Sequence, residues 1–115
     1  MKWIKADEGQ FYEAKNHYGI WGVKKVTEAD GARNLNLSIS EFLPNGGALL
    51  TASVKDRVYM VLRGTMDVLD EQGNVHSMEE GDMIFIPAGE KREIRVTGKI
   101  ACRILVILSA IEQPA

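Results

Sequence analysis

The sequence predicts an all-β sandwich or barrel. Three observations carry that prediction. Leu35, Leu37 and Ile39 alternate with Asn36, Ser38 and Ser40, the period of two that belongs to a half-buried strand. Short apolar runs then recur at regular spacing as far as Leu108. Glycine or proline stands between most of them, the punctuation of strands joined by tight turns. No long amphipathic helical window competes.

Residues 1–34 are read as an N-terminal extension packing on a barrel made by residues 35–115, one structural domain overall. Within the extension, Ile20–Val26 is expected as a strand and Gln10–Lys15 as a short helical turn. Asn16-His17 and Asp30-Gly31 mark turns. From Leu35 the first barrel strand runs to Pro44-Asn45-Gly46-Gly47, which is expected to break it. Ala48–Val54 and Arg57–Leu62 follow as strands, then Thr65–Leu69 after Gly64. Asp70–Asn74 is a hairpin loop containing Gly73, and Val75–Met78 returns from it. Gly81-Asp82 turns into Met83–Ile86. Pro87-Ala88-Gly89 turns again, and Glu93–Val96 and Cys102–Leu108 finish the sheet.

Composition narrows the function classes. A chain of 115 residues buries a core without covalent staples. Hydrophobic residues make up 45% and charged residues 26%, as in soluble globular proteins. The 14 basic and 16 acidic residues leave a net charge of -2, which argues against a nucleic-acid partner. The longest apolar run, near Ile104–Leu108, is too short to span a bilayer, so no membrane partner is expected. Cys102 is the single cysteine, and no apolar leader opens the chain; both point to a cytoplasmic protein. Cys102 lies on a predicted strand among apolar residues and reads as a buried, inert thiol.

The segment GDMIFIPAG (Gly81–Gly89), preceded by VYMVLRG (Val58–Gly64), resembles the two defining segments of the cupin family. The family's first segment opens on Pro-Gly-Gly, carries HxH and a glutamate, and ends on glycine. Here Pro44-Asn45-Gly46 stands at its start and Gly64 at its end. Gly81, Pro87 and Gly89 match the second segment at its usual spacing. The resemblance covers roughly residues 35–108. It implies a double-stranded β-helix, a jelly-roll-like barrel whose interior holds the functional site. It also implies a homodimer, a partner that Met83–Ile86, apolar on both faces, supports independently.

Carried over position by position, the family's metal ligands fall on Thr51 and Ser53 (the two histidines), Arg57 (the glutamate) and Arg92 (the last histidine). A neutral hydroxyl is a weak ligand for a first-row cation, and a guanidinium has no acceptor atom at all. The expected cofactor is therefore none. A narrower similarity is to ethanolamine-utilisation cupins, through DRVYMVLRG (Asp56–Gly64) and GDMIFIPAG. Those proteins also lack HxH and have been associated with acetate-kinase-type activity. Arg57 and Arg63 replace the glutamates of their motif, so the similarity is one of sub-type rather than reaction.

The resemblance places Thr51, Ser53, Arg57, Tyr59 and Arg92 inside the barrel, with two guanidinium groups among hydroxyls. Guanidinium pairs bidentately with carboxylate or phosphate. The expected ligand is a small anion, an organic acid, sugar acid or phosphate. Against that stands internal pairing of the arginines, with Glu41, Asp56, Glu90 and Glu93 as partners. Tyr59 reads first as core packing, Lys55 as solvated, and His17 and His76 as ordinary histidines. Whether the protein is an enzyme stays open. A metal-dependent isomerase or oxygenase and a non-catalytic scaffold or regulatory subunit are the alternatives.

Overall fold

The computed structural model describes residues 1–110. The described residues form nine strands: β1 (Gln10–Tyr12), β2 (His17–Val26), β3 (Leu35–Thr51), β4 (Arg57–Arg63), β5 (Thr65–Asp70), β6 (Val75–Met78), β7 (Met83–Ile86), β8 (Arg92–Thr97) and β9 (Cys102–Ser109). Among the described residues the one helical element is a 3₁₀ turn at Glu28–Asp30. Thr27 and Asp30 cap it reciprocally, and Gly31 ends it in the left-handed region. Among the described residues no helix is long and apolar enough to cross a membrane.

Hydrogen-bonded neighbours run β6-β5-β8-β3-β9-β4-β7, with β2 on β3 and β1 on β2. Every pairing is antiparallel. The two halves of β3 serve different neighbours. Leu35–Phe42 pairs with β9, whereas Gly47, Ala48 and Thr51 pair with β8. This curls the sheet into a nearly closed barrel.

Three local readings are revised. Gln10–Tyr12 is strand, not helical turn, because it pairs with Gly22–Lys24 of β2. Pro44-Asn45-Gly46-Gly47 bends the chain without ending the strand. Asn45 takes a left-handed φ of 66° there, and β3 continues on the new partner. Glycine is required at the second half of that corner, since a Cβ on Gly47 would stand 2.2 Å from the Ile94 carbonyl oxygen. Finally, Ser53 lies beyond the end of β3 rather than on one strand with Thr51.

The alternation of β4 sets inside and outside. Arg57, Tyr59 and Val61 are buried; Val58 and Met60 are less so, and Leu62 is exposed. Tyr59 and Val61 join Phe42, Met66, Val68, Ile86, Ile94, Cys102, Ile104 and Val106 in one core. Truncating one of these large side chains to alanine costs roughly 2–5 kcal/mol. Outside, the register aligns Met83, Met60, Leu105, Ile39, Val23 and Phe11 across six strands, all apolar. Met83 and Phe85 are more than half exposed on this face.

Candidate functional site

The site is built where β4, β8 and the corner of β3 converge at one end of the barrel. Asp56 and the loop before it hold the Pro87-Ala88-Gly89 turn. The Asp56 carboxylate accepts from the Ala88 N–H at 2.9 Å, and the Ser53 carbonyl from the Gly89 N–H at 2.8 Å. Gly89 needs its positive φ of 88° to make that approach. The turn in turn sets the Glu90 carbonyl, which accepts from an Arg57 terminal nitrogen at 2.7 Å, and starts β8 at Arg92.

Inside lies a cavity of about 370 Å³. Its polar lining includes Thr51, Ser53, Arg57, Tyr59, Arg92 and His17, with Tyr12 and Ser40, and its apolar wall Ile20, Phe42, Ile94, Ile104, Val106 and Leu108, of which Leu108 and Val106 stand beside Arg57 and Tyr59 in register. All five residues that the sequence placed at the site therefore line one space. The sequence did not single out His17. It enters through the first position of β2, paired with Ala48 of β3, and its ring stacks on Phe42 with centroids 6.3 Å apart. Its rarity, as one of two histidines, was the sole signal in the sequence. His76, the other, is exposed on β6.

The two arginines differ. Arg92 is nearly saturated. Its Nε donates to the Tyr59 phenolic oxygen at 3.0 Å, and one terminal nitrogen donates to the Leu49 carbonyl and to Thr51 Oγ1, both at 3.0 Å. The other terminal nitrogen lies 3.4 Å from His17 Nε2. Arg57 is 3% exposed and donates to the Glu90 carbonyl; among the described residues its buried Nε has no partner. Burial pushes the Arg57 guanidinium below its ordinary value, and the like charge of Arg92 adds to this, while Tyr59 and Glu90 oppose it.

Among the described residues no carboxylate forms an ion pair with either arginine. Glu41 holds Arg63 and Arg103 instead, at 2.5 and 2.7 Å on the outer face, and Glu93 holds Arg95 at 2.6 Å. Asp56 is used by the Ala88 N–H, and Glu90 offers Arg57 its main-chain oxygen. The cavity thus carries two buried cations countered by neutral oxygens and an imidazole.

The geometry of His17 assigns its tautomer. Nδ1 sits 2.6 Å from the Lys15 carbonyl oxygen, which can only accept, so Nδ1 carries the proton. Nε2 is then the lone pair that faces the Arg92 guanidinium. Burial, helped by Arg92 and Arg57, pushes the imidazole below its usual 6.5, against the opposing Lys15 hydrogen bond.

A cupin domain model matches residues 41–108, more than half of the chain. The chain belongs to the cupin family. Its fold agrees with the polyketide cyclase RemF from Streptomyces resistomycificus at a TM-score of 0.87, with 25% identity over 99% of this chain and 82% of that one. A predicted oxalate decarboxylase from Thermotoga maritima superposes at 0.80, with 17% identity over 96% of this cupin and 100% of the other. A putative ethanolamine utilization protein Q from Salmonella typhimurium LT2 gives 0.71, with 24% identity over 86% and 77%. No curated protein matches the sequence.

A divalent metal does not fit this cupin's donor set. The residues at the family's ligand positions bring two hydroxyls and two guanidinium groups to the cavity. Among the described residues no three His, Cys, Asp or Glu side chains cluster as a metal site needs. A wider surface depression of about 810 Å³ lies between β2 and the 3₁₀ turn; Lys24, Glu28 and Arg33 on its walls are exposed.

Proposed function

We propose that this cupin binds a small organic acid in the barrel, with the carboxylate taken by Arg57. One observation carries the reading. Arg57 is a buried guanidinium on the cavity lining, bonded to the Glu90 carbonyl and with no carboxylate partner among the described residues. A buried charge left in that state is costly unless a counter-ion completes it. A carboxylate supplies both the charge and two acceptors in the plane of the guanidinium. Arg92, nearly saturated, adds positive potential and holds Tyr59 in place. Tyr59 Oη, already an acceptor from Arg92, keeps its own O–H for the ligand.

The apolar wall selects among anions. Ile94, Ile104, Val106 and Leu108 favour a carbon skeleton behind the charged end over inorganic phosphate or a densely hydroxylated sugar acid. Similarity to a polyketide cyclase supports the same choice.

The test is a thermal-shift and calorimetric panel of aliphatic and aromatic carboxylates, sugar acids and phosphate on the wild type and Arg57→Met. Monocarboxylates with an apolar body are expected to raise Tm by mass action in the wild type and to lose that effect in the variant. A panel without a shift in the wild type, or equal shifts in both proteins, defeats the reading.

We propose, in addition, that a second copy covers the apolar rows on the outer face of β1, β2, β3, β9, β4 and β7, beside the Glu41–Arg63–Arg103 cluster. The Met83–Phe11 row supports it, since one self-complementary face suffices for a two-fold dimer.

A further inference from the structure

The geometry points to a proton-transfer activity at this site: His17 acts as general base on the carbon next to a carbonyl of the bound acid, and Arg57 holds the enolate oxygen that results. The inference rests on the organic-acid reading and extends it from binding to chemistry.

Four features of His17 carry it. Its Nδ1 proton is committed to the Lys15 carbonyl, which fixes the ring and leaves Nε2 as a lone pair. The ring lies nearly parallel to that of Phe42, with centroids 6.3 Å apart. The ring is half-buried at the cavity wall, within its polar lining. Among the described residues, the ionisable groups that share the cavity lining with it, Arg92, Arg57, Tyr59, Tyr12 and Lys15, include no carboxylate to stabilise an imidazolium. The base is therefore present in its neutral, proton-accepting form near neutral pH, a condition for general-base catalysis. The contact from Arg92 to Nε2, at 3.4 Å, is long for a hydrogen bond.

The acceptor side is equally specific. Removing a proton beside a carbonyl leaves negative charge on the carbonyl oxygen, and buried donors aimed at that oxygen stabilise it. Arg57 lines the cavity, and among the described residues its guanidinium has donors beyond the one that Glu90 takes. Tyr59 O–H is a second. A 2-oxo acid fits all three elements at once, with its carboxylate and C2 oxygen toward the guanidinium groups, C3 toward His17 and its side chain on the apolar wall.

The step balances without a redox partner. Nε2 takes the C3 proton, the C–H pair becomes the C2–C3 double bond, and the carbonyl π pair moves to the C2 oxygen. Return of the proton to C3 restores the keto acid, and delivery to the oxygen gives the enol. In deuterated water the imidazolium exchanges with solvent, so C3 acquires deuterium.

The experiment follows C3 deuterium exchange of phenylpyruvate and 2-oxopentanoate by proton NMR, with wild type, His17→Gln and Tyr59→Phe, while calorimetry records binding separately. The wild type is expected to exchange C3 faster than buffer with equivalent free imidazole. His17→Gln is expected to lose roughly a hundredfold or more of that rate while binding both acids nearly as well. The wild-type rate should rise as the pH climbs through an apparent value below that of an ordinary histidine. Binding without accelerated exchange, or exchange unchanged in a folded His17→Gln, overturns the inference and leaves the binding reading standing. Absence of both binding and exchange overturns the two together.

Discussion

Arg92 Nε donates to the phenolic oxygen of Tyr59 at 3.0 Å, from β8 to β4, with both residues almost wholly buried. The bond ties strands that are not sheet neighbours, so it spans the barrel interior. Removing the acceptor leaves a charged donor unpaired where water enters poorly. Tyr59→Phe should cost about 1–3 kcal/mol, read as a lower urea midpoint with an unchanged m-value. A variant as stable as the wild type would mean that water or another oxygen replaces the phenol.

Arg57→Met should behave in the opposite sense. Methionine fills the space of the guanidinium stem without its charge, and the carbonyl it abandons belongs to the exposed Glu90. The unliganded protein is expected to be unchanged or stabilised by about 1 kcal/mol, although acid binding is lost. A loss of roughly 2 kcal/mol or more would instead make Arg57 a structural residue of the kind whose removal breaks a buried network.

These opposed expectations show what the sequence could and could not disclose. The barrel was legible because its turns sit on Gly64, Gly81, Pro87 and Gly89 and its strands alternate in period two. The five pocket residues were legible because parity on β4 and family spacing both act locally along the chain. Partner choice was not legible. Glu41 has the same local sequence whether it meets Arg57 or Arg63, and the register of β3 on β9, which sets it opposite Arg103, is a long-range fact. His17 was missed for the same reason. Its place in the cavity follows from pairing with Ala48, thirty-one residues away, through a strand whose start carries no periodic signal.

The imidazole of His17 should leave a signature in the pH dependence of stability. Its folded value lies below the usual 6.5, chiefly through burial, with Arg92 and Arg57 opposing its charge. Between the folded value and 6.5 the unfolded chain binds more protons than the folded one. Stability is therefore full above about 6.5 and falls as the pH drops toward the folded value. Denaturant titrations from pH 8 down to about 5 should show this loss in the wild type and a weaker one in His17→Gln. Parallel profiles for the two proteins would place the ring in solvent.

Cys102 should be silent toward thiol reagents in the native state. It has no exposed surface, and burial, with Glu41 nearby, pushes its thiol up to about 11. The thiolate is the reactive species, so both access and ionisation are withheld. Ellman's reagent near neutral pH should modify Cys102 only as fast as the barrel opens, and at once in concentrated denaturant. Rapid stoichiometric labelling of the folded protein would contradict its place in the core, opposite Phe42 of β3.

The outer face offers the last test. Phe85 is 61% exposed in the single chain and pairs in register with Val58, which pairs with Ile107, extending a second apolar row beside the Met83 row. A contiguous apolar sheet face of this kind is unusual on a monomer in water. If a second copy covers it, a charge at its centre is buried without a partner, and symmetry imposes that cost from both sides. Phe85→Glu should therefore sediment as a monomer at concentrations where the wild type sediments as a dimer. Its barrel should stay folded, because Phe85 points away from the core. A wild type that remains monomeric across the accessible concentration range would remove the second copy and leave the face to another partner.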